Sequence, residues 1–220
     1  AYAYQSLNER DALIAEKVIE RDKKIDKLYQ ELLDISIQLF ALRQPLAIDL
    51  RYVISSIKIA SDLEKIGDQS KNIAKASRWL SKLPVNQKVL SVDSLFDLVN
   101  SNFRKVVNSF NEENLKEVKE IWLNDAEVNK HYDILFRETL TYMLEDTKNI
   151  PSCTQVISVA KNLERIGDQI QNIAEMIYYY VTGNHITQKI SPKEMKLYKK
   201  EKKYKTDISN IFKKAKLIVK

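Results

Sequence analysis

The sequence predicts an all-α protein made of two tandem three-helix bundles with antiparallel helices. Three observations carry this: an internal duplication, a scarcity of helix breakers, and apolar residues recurring at three-then-four spacing. Residues 62–74 read DLEKIGDQSKNIA and residues 162–174 read NLERIGDQIQNIA, an offset of 100. Aligning 57–74 with 157–174 gives 11 identities in 18 positions, which marks an internal repeat. Only 3 Gly and 4 Pro occur among 220 residues, and Lys, Glu, Leu and Ile, which suit long helices, are abundant.

Residues 1–7 (AYAYQSL) read as the end of a helix whose start is missing, so the first helix of the first bundle is expected to be truncated here. The polar break Asn8-Glu9-Arg10-Asp11 can cap the next helix. Residues 11–42 form one long amphipathic segment, with Val18, Ile25, Leu28, Leu32, Ile35, Leu39 and Leu42 as its core stripe. Gln44-Pro45 ends it, because a residue before proline is biased away from helix. Residues 46–80 form the next helix and carry the first copy of the motif. Leu83-Pro84-Val85-Asn86 reads as the linker between halves.

The second half repeats the plan. Ser91 or Asp93 caps a helix through Phe110, with Leu95, Val99, Phe103, Val106 and Phe110 facing inward. Asn111-Glu112-Glu113-Asn114 matches the first polar break, and a helix from 115 to about 146 follows. Asn149-Ile150-Pro151-Ser152 breaks the chain before the second motif helix, 152 to about 181, which stops near Gly183. The expected domains are therefore 1–83, 84–183 and a C-terminal tail, 184–220.

The chain carries +6 net charge, placed unevenly. The tail holds 12 Lys against Glu194, Glu201 and Asp207, a balance of +9, which leaves −3 for residues 1–183. The stretch KLYKKEKKYK (196–205) has the composition of a surface for nucleic acid or acidic lipid. A solvated tail, separable from the acidic body, is the simpler expectation. No run of about 18 apolar residues exists, so no transmembrane helix is expected. The single cysteine, Cys153, excludes an intrachain disulfide and fits a reducing compartment. Three scattered glycines exclude a P-loop and a dinucleotide fingerprint.

Each motif copy sets two carboxylates one helical turn apart, Glu64 with Asp68 and Glu164 with Asp168. At about 100° per residue they point roughly 140–180° from the apolar face. Like charges at this spacing repel by roughly 0.2–0.5 kcal/mol, and a mid-helix glycine (Gly67, Gly167) costs about 1 kcal/mol relative to alanine. Both oddities recur together, which points to a site rather than to a solvated acidic face. Gly67 also lies in a strip with Ala60 and Ala74, as Gly167 does with Ala160 and Ala174, where another backbone can approach.

Asp22 and Asp26 lie beside the stripe of the preceding helix, and Asp125 and Asn129 stand at the same places, offset by 103. Across an antiparallel pair, Asp22 and Asp26 can face Glu64 and Asp68, and Asp125 and Asn129 can face Glu164 and Asp168. Four such carboxylates need a cation or a proton, and oxygen ligands suit magnesium, manganese, calcium or iron. Neighbouring Lys65 and Arg165 could screen them instead. A di-iron oxidase would need Glu-x-x-His, and here positions 67 and 167 are glycine.

The chain resembles the PhoU family, accessory proteins of the bacterial phosphate-specific transport system. The residues that carry the resemblance are Arg43-Gln44-Pro45, Asp49-Leu50-Arg51, Leu63-Glu64-Lys65-Ile66-Gly67-Asp68 and Leu163-Glu164-Arg165-Ile166-Gly167-Asp168, continuing through Asn172-Ile173-Ala174-Glu175 to Tyr178-Tyr179-Tyr180 and Gly183.

The resemblance implies a regulator without catalytic residues that represses the phosphate starvation response. It would act in the cytoplasm at the inner membrane, as an adaptor between the ATPase subunit of the phosphate ABC transporter and a sensor histidine kinase. A homodimer is expected, with membrane contact only through partners and no nucleic acid. The resemblance also implies metal, such as iron, zinc, manganese or magnesium, on Asp22, Asp26, Glu64, Asp68, Asp125, Glu164 and Asp168. Asn129 departs from the carboxylate pattern, so the second site is expected to bind more weakly. The alternative is a metal-binding helical bundle with a storage or oxidase role.

Overall fold

The computed structural model describes residues 1–43, 45, 47–83 and 90–186. Most of the linker 83–86 and nearly all of the basic tail therefore lie outside the described residues, and so does Gln44. The described residues form helices and no strands: α1 (Tyr2–Asn8), α2 (Ala12–Arg43), α3 (Ala47–Leu80), α4 (Asp93–Glu112), α5 (Leu115–Leu123), α6 (Asp125–Glu145), a 3-10 turn (Thr147–Asn149) and α7 (Ile150–Thr182). The all-α class and the helical-bundle architecture follow the sequence pattern.

The two polar breaks fold alike. Arg10 (φ 48°) and Glu113 (φ 58°) both take the left-handed conformation. The next amide in each case reaches back five residues, Asp11 N–H to Ser6 O at 3.0 Å and Asn114 N–H to Ser109 O at 3.3 Å, as in a Schellman helix end. The following side chain then caps the new helix. Asp11 Oδ1 accepts from Leu13 N–H (2.7 Å) and Ile14 N–H (3.2 Å), and Asn114 Oδ1 accepts from Lys116 N–H at 3.2 Å.

The expected helix 115–146 is instead two helices, α5 and α6. Asn124 sits between them at φ −83°, ψ −2°, with a three-residue backbone bond from Glu127 N–H to Asn124 O at 3.0 Å. Asn124 makes no side-chain cap hydrogen bond, and the i→i+4 ladder gives way there to one tighter i→i+3 turn. α7 starts two residues earlier than expected. Pro151 occupies its first turn, where no intrahelical donor is lost.

The described helices pack as two compact units. One contains residues Ala1–Lys24, Lys65–Arg104 and Asn124–Gln169, and the other contains Ile25–Glu64, Lys105–Leu123 and the chain from Ile170 onward. Each unit draws on both sequence copies, so packing divides the chain differently from the repeat.

In the first unit α2 and α3 run antiparallel. Glu16 pairs with Arg78 at 2.7 Å, and Asp22 pairs with Lys71. Tyr4 of α1 stacks on Phe96 of α4, with ring centroids 3.6 Å apart, and its hydroxyl donates to Asp93. In the second unit the start of α3 meets the end of α7, where Tyr52 packs edge-on against Tyr180 at 4.6 Å.

The motif helices bury Ile59, Leu63 and Ile73 in α3, with Ile66 of the same apolar face half-buried, and Val159, Leu163, Ile166, Ile170 and Ile173 in α7. The small strips are buried too, with Ala60 and Ala74 at 0% exposure and Ala160 and Ala174 at 2% and 0%. A Cβ at Gly167 would stand 3.0 Å from Val128 Cγ1 of α6. Close helix approach thus explains that glycine without a ligand.

The α2 stripe is rotated from expectation. Ala15, Asp22, Leu32 and Ser36 are buried, whereas Leu42 is 81% exposed. Asp22 therefore lies within the buried stripe rather than beside it.

Candidate functional site

Asp22 and Asp68 belong to the first unit, while Asp26 and Glu64 belong to the second. Glu164, Asp168 and Asn129 lie in the first unit. Asp125 is the first residue of α6, and its side chain lies outside the described residues. Among the described residues, no three His, Cys, Asp or Glu side chains form a group able to hold a metal ion.

What the first unit does assemble is a lysine-centred triad. Lys71, one turn after Asp68 on α3, donates to Asp68 Oδ1 at 2.8 Å and to Asp22 Oδ2 on α2. The Asp22 side chain is 4% exposed, Lys71 25% and Asp68 45%, so this pair links core to surface. The hydrogen bond to Asp22, reinforced by that to Asp68, holds the Lys71 ammonium well above the usual lysine range. Asp22 Oδ1 is buried with no hydrogen-bond partner.

The second copy uses a different lysine. Lys161 donates to Glu164 Oε1 at 2.8 Å, three residues on along α7, and its Nζ lies 5.1 Å above the Tyr132 ring. Its hydrogen bond to Glu164 is the main reason its ammonium is held above the usual range. Glu164 is only 14% exposed, and its Oε2 is buried without a partner.

Lys71 and Lys161 are the cations bonded to Asp68 and Glu164 here, where adjacency in sequence pointed to Lys65 and Arg165. The i,i+3 spacing of Asp68 to Lys71 and of Lys161 to Glu164 was the signal available. Another duplicated feature went unseen: Gln69 and Gln169, the same repeat position, each keep a buried Oε1 with no partner.

Other motif residues close helix ends in the second unit. Gly183 ends α7 at φ 76°, its N–H bonded to Tyr179 O at 2.8 Å. A Cβ added there would overlap the Arg51 guanidinium, which sits at the negative end of the helix dipole. Trp122 Nε1 donates to Glu175 Oε1 at 2.9 Å. Tyr180, 7% exposed, donates to Glu113 Oε1 at 2.9 Å. Burial, and then the Glu113 carboxylate, push its phenol well above the usual tyrosine range. Cys153 is buried in the first turn of α7, and burial raises its thiol pKa, the opposite of what a nucleophile needs.

The family model for the PhoU domain matches residues 1–77 and 92–177, covering both motif copies. The chain belongs to the PhoU family. A phosphate-specific transport system accessory protein PhoU homolog of Caulobacter vibrioides is 39% identical over 179 residues, spanning 81% of this chain and 78% of the relative. The crystal structure of PhoU from Pseudomonas aeruginosa superposes with a TM-score of 0.79 at 30% identity, covering 83% of this chain and 88% of that one. The phosphate transport system regulatory protein PhoU of Streptococcus pneumoniae gives 0.74 at 30% identity, covering 84% and 87%.

As a PhoU-family member, this chain is of the kind whose relatives are named accessory and regulatory proteins of phosphate transport. No helix among the described residues is long and apolar enough to cross a membrane.

Proposed function

We propose that this chain is a non-enzymatic cytoplasmic adaptor that represses the phosphate starvation response, linking the ATPase subunit of the phosphate ABC transporter to a sensor histidine kinase. The observation that carries the reading is the PhoU domain match over both repeats, together with relatives named as transport-system accessory proteins. The helix surfaces agree with a role in binding proteins. Leu140 and Leu144 stand one turn apart on α6 at 41% and 87% exposure, and Leu50 and Ile54 stand so on α3 at 39% and 49%. Apolar pairs of this kind are what a protein partner covers. The proposal includes a homodimer, with 1–83 and 84–183 as the two repeats of the duplicated sequence.

Affinity capture of the full chain, after crosslinking in phosphate-rich and phosphate-starved cells, tests this. The transporter ATPase or the histidine kinase is expected in the capture, in an amount that changes with phosphate. Recovery of neither under both conditions would contradict the adaptor role.

A further inference from the structure

We infer that Asp22 and Asp68 take their cation from Lys71 in place of a metal ion. Asp22 is a carboxylate only 4% exposed, and a buried carboxylate requires a counter-charge. The Lys71 ammonium supplies it, bridging Asp22 Oδ2 and Asp68 Oδ1. That is the position from which a metal ion would bind these same two residues, so a metal could enter only by displacing a tethered ammonium held by two ionic hydrogen bonds. As they stand, Asp22 and Asp68 do not fit a metal ion.

At matched positions the first copy carries Asp22, Asp26, Glu64, Asp68 and Lys71, and the second carries Asp125, Asn129, Glu164, Asp168 and Gln171. Four carboxylates stand against three, and a lysine occupies position 71 in the first copy where the second has glutamine. The second copy places its lysine elsewhere, Lys161 beside Glu164, where the first copy has Ser61. Gln171 does something else, donating to Trp122 O at 3.4 Å. Lys71 is therefore particular to the first copy and not a feature of the shared motif.

The test is a double-mutant cycle with melts in chelator and in manganese or zinc chloride. Lys71→Gln, the residue of the second copy, is expected to lower the melting temperature in chelator by roughly 5–15 °C, since it leaves a buried charge alone. Asp22→Asn with Lys71→Gln together are expected to lower it by less than the sum of the single changes. Lys71→Arg keeps the charge and should stay folded, which covers the case in which Lys71→Gln does not fold. Any metal-dependent shift in protein that retains Lys71 should be the same with and without Asp22→Asn. Two results would overturn the inference: additive effects of the two substitutions, or a metal-dependent shift, with Lys71 present, that Asp22→Asn removes. Neither bears on the adaptor role, which is read by partner capture.

Discussion

Truncating Tyr178 to alanine is expected to destabilise the protein by about 3–5 kcal/mol, the range for removing a large buried aromatic ring. Tyr178 is 1% exposed and is the largest fully buried side chain among the described residues. Its neighbours in the run of three tyrosines do different work. Tyr179 stacks on His185 near the end of α7, with ring centroids 5.4 Å apart, and Tyr180 hydrogen-bonds Glu113. Tyr179→Ala should therefore cost less than about 1 kcal/mol, as substitutions away from the core do. Urea unfolding of the two single variants separates these roles. Equal losses at the two positions would mean that the run acts as one surface patch and not through a single core ring.

Gly183→Ala carries the next largest expected effect. A non-glycine residue in the left-handed region costs roughly 1–2 kcal/mol, and here the new methyl group must also push away Arg51. Losing a cation at a helix C-terminus adds about 0.3–1 kcal/mol, for a total of about 1–3 kcal/mol. Because the steric part depends on Arg51, adding Arg51→Ala to Gly183→Ala should cost less than the two single losses combined. Thermal melts of the two single variants and the double variant measure this. A neutral Gly183→Ala would show that α7 can end without the glycine.

The features legible in the sequence were those that depend on near neighbours. Asp11 and Asn114 were readable as caps because capping is local chemistry, and both cap as expected. The stripes of α4 and α7 were readable because periodicity alone sets them, with Leu95, Val106, Val159 and Ile170 buried. Asp22 was not readable as a core residue, because what draws it inward is Lys71, 49 positions away. Leu42 was misplaced for a related reason, since an apolar residue at the right phase near a helix end need not meet anything, and it stands 81% exposed. The break at Asn124 was hidden by an apolar pattern that continues on both sides of it.

The site followed the same rule. The Glu64/Asp68 and Glu164/Asp168 spacings stood out as paired carboxylates, but spacing does not say what neutralises them. Lysines one turn away were available in both copies, at different repeat positions. Arg51 and Gly183 could be matched to a family from sequence. That they meet, 132 residues apart, is a tertiary fact.

The most direct measurement of the central claim is a phosphate-starvation reporter in cells that lack this chain, grown with abundant phosphate. The account predicts that the reporter switches on, and that supplying the full chain in trans switches it off again. A reporter that stays off without the chain would contradict a repressive role in phosphate signalling.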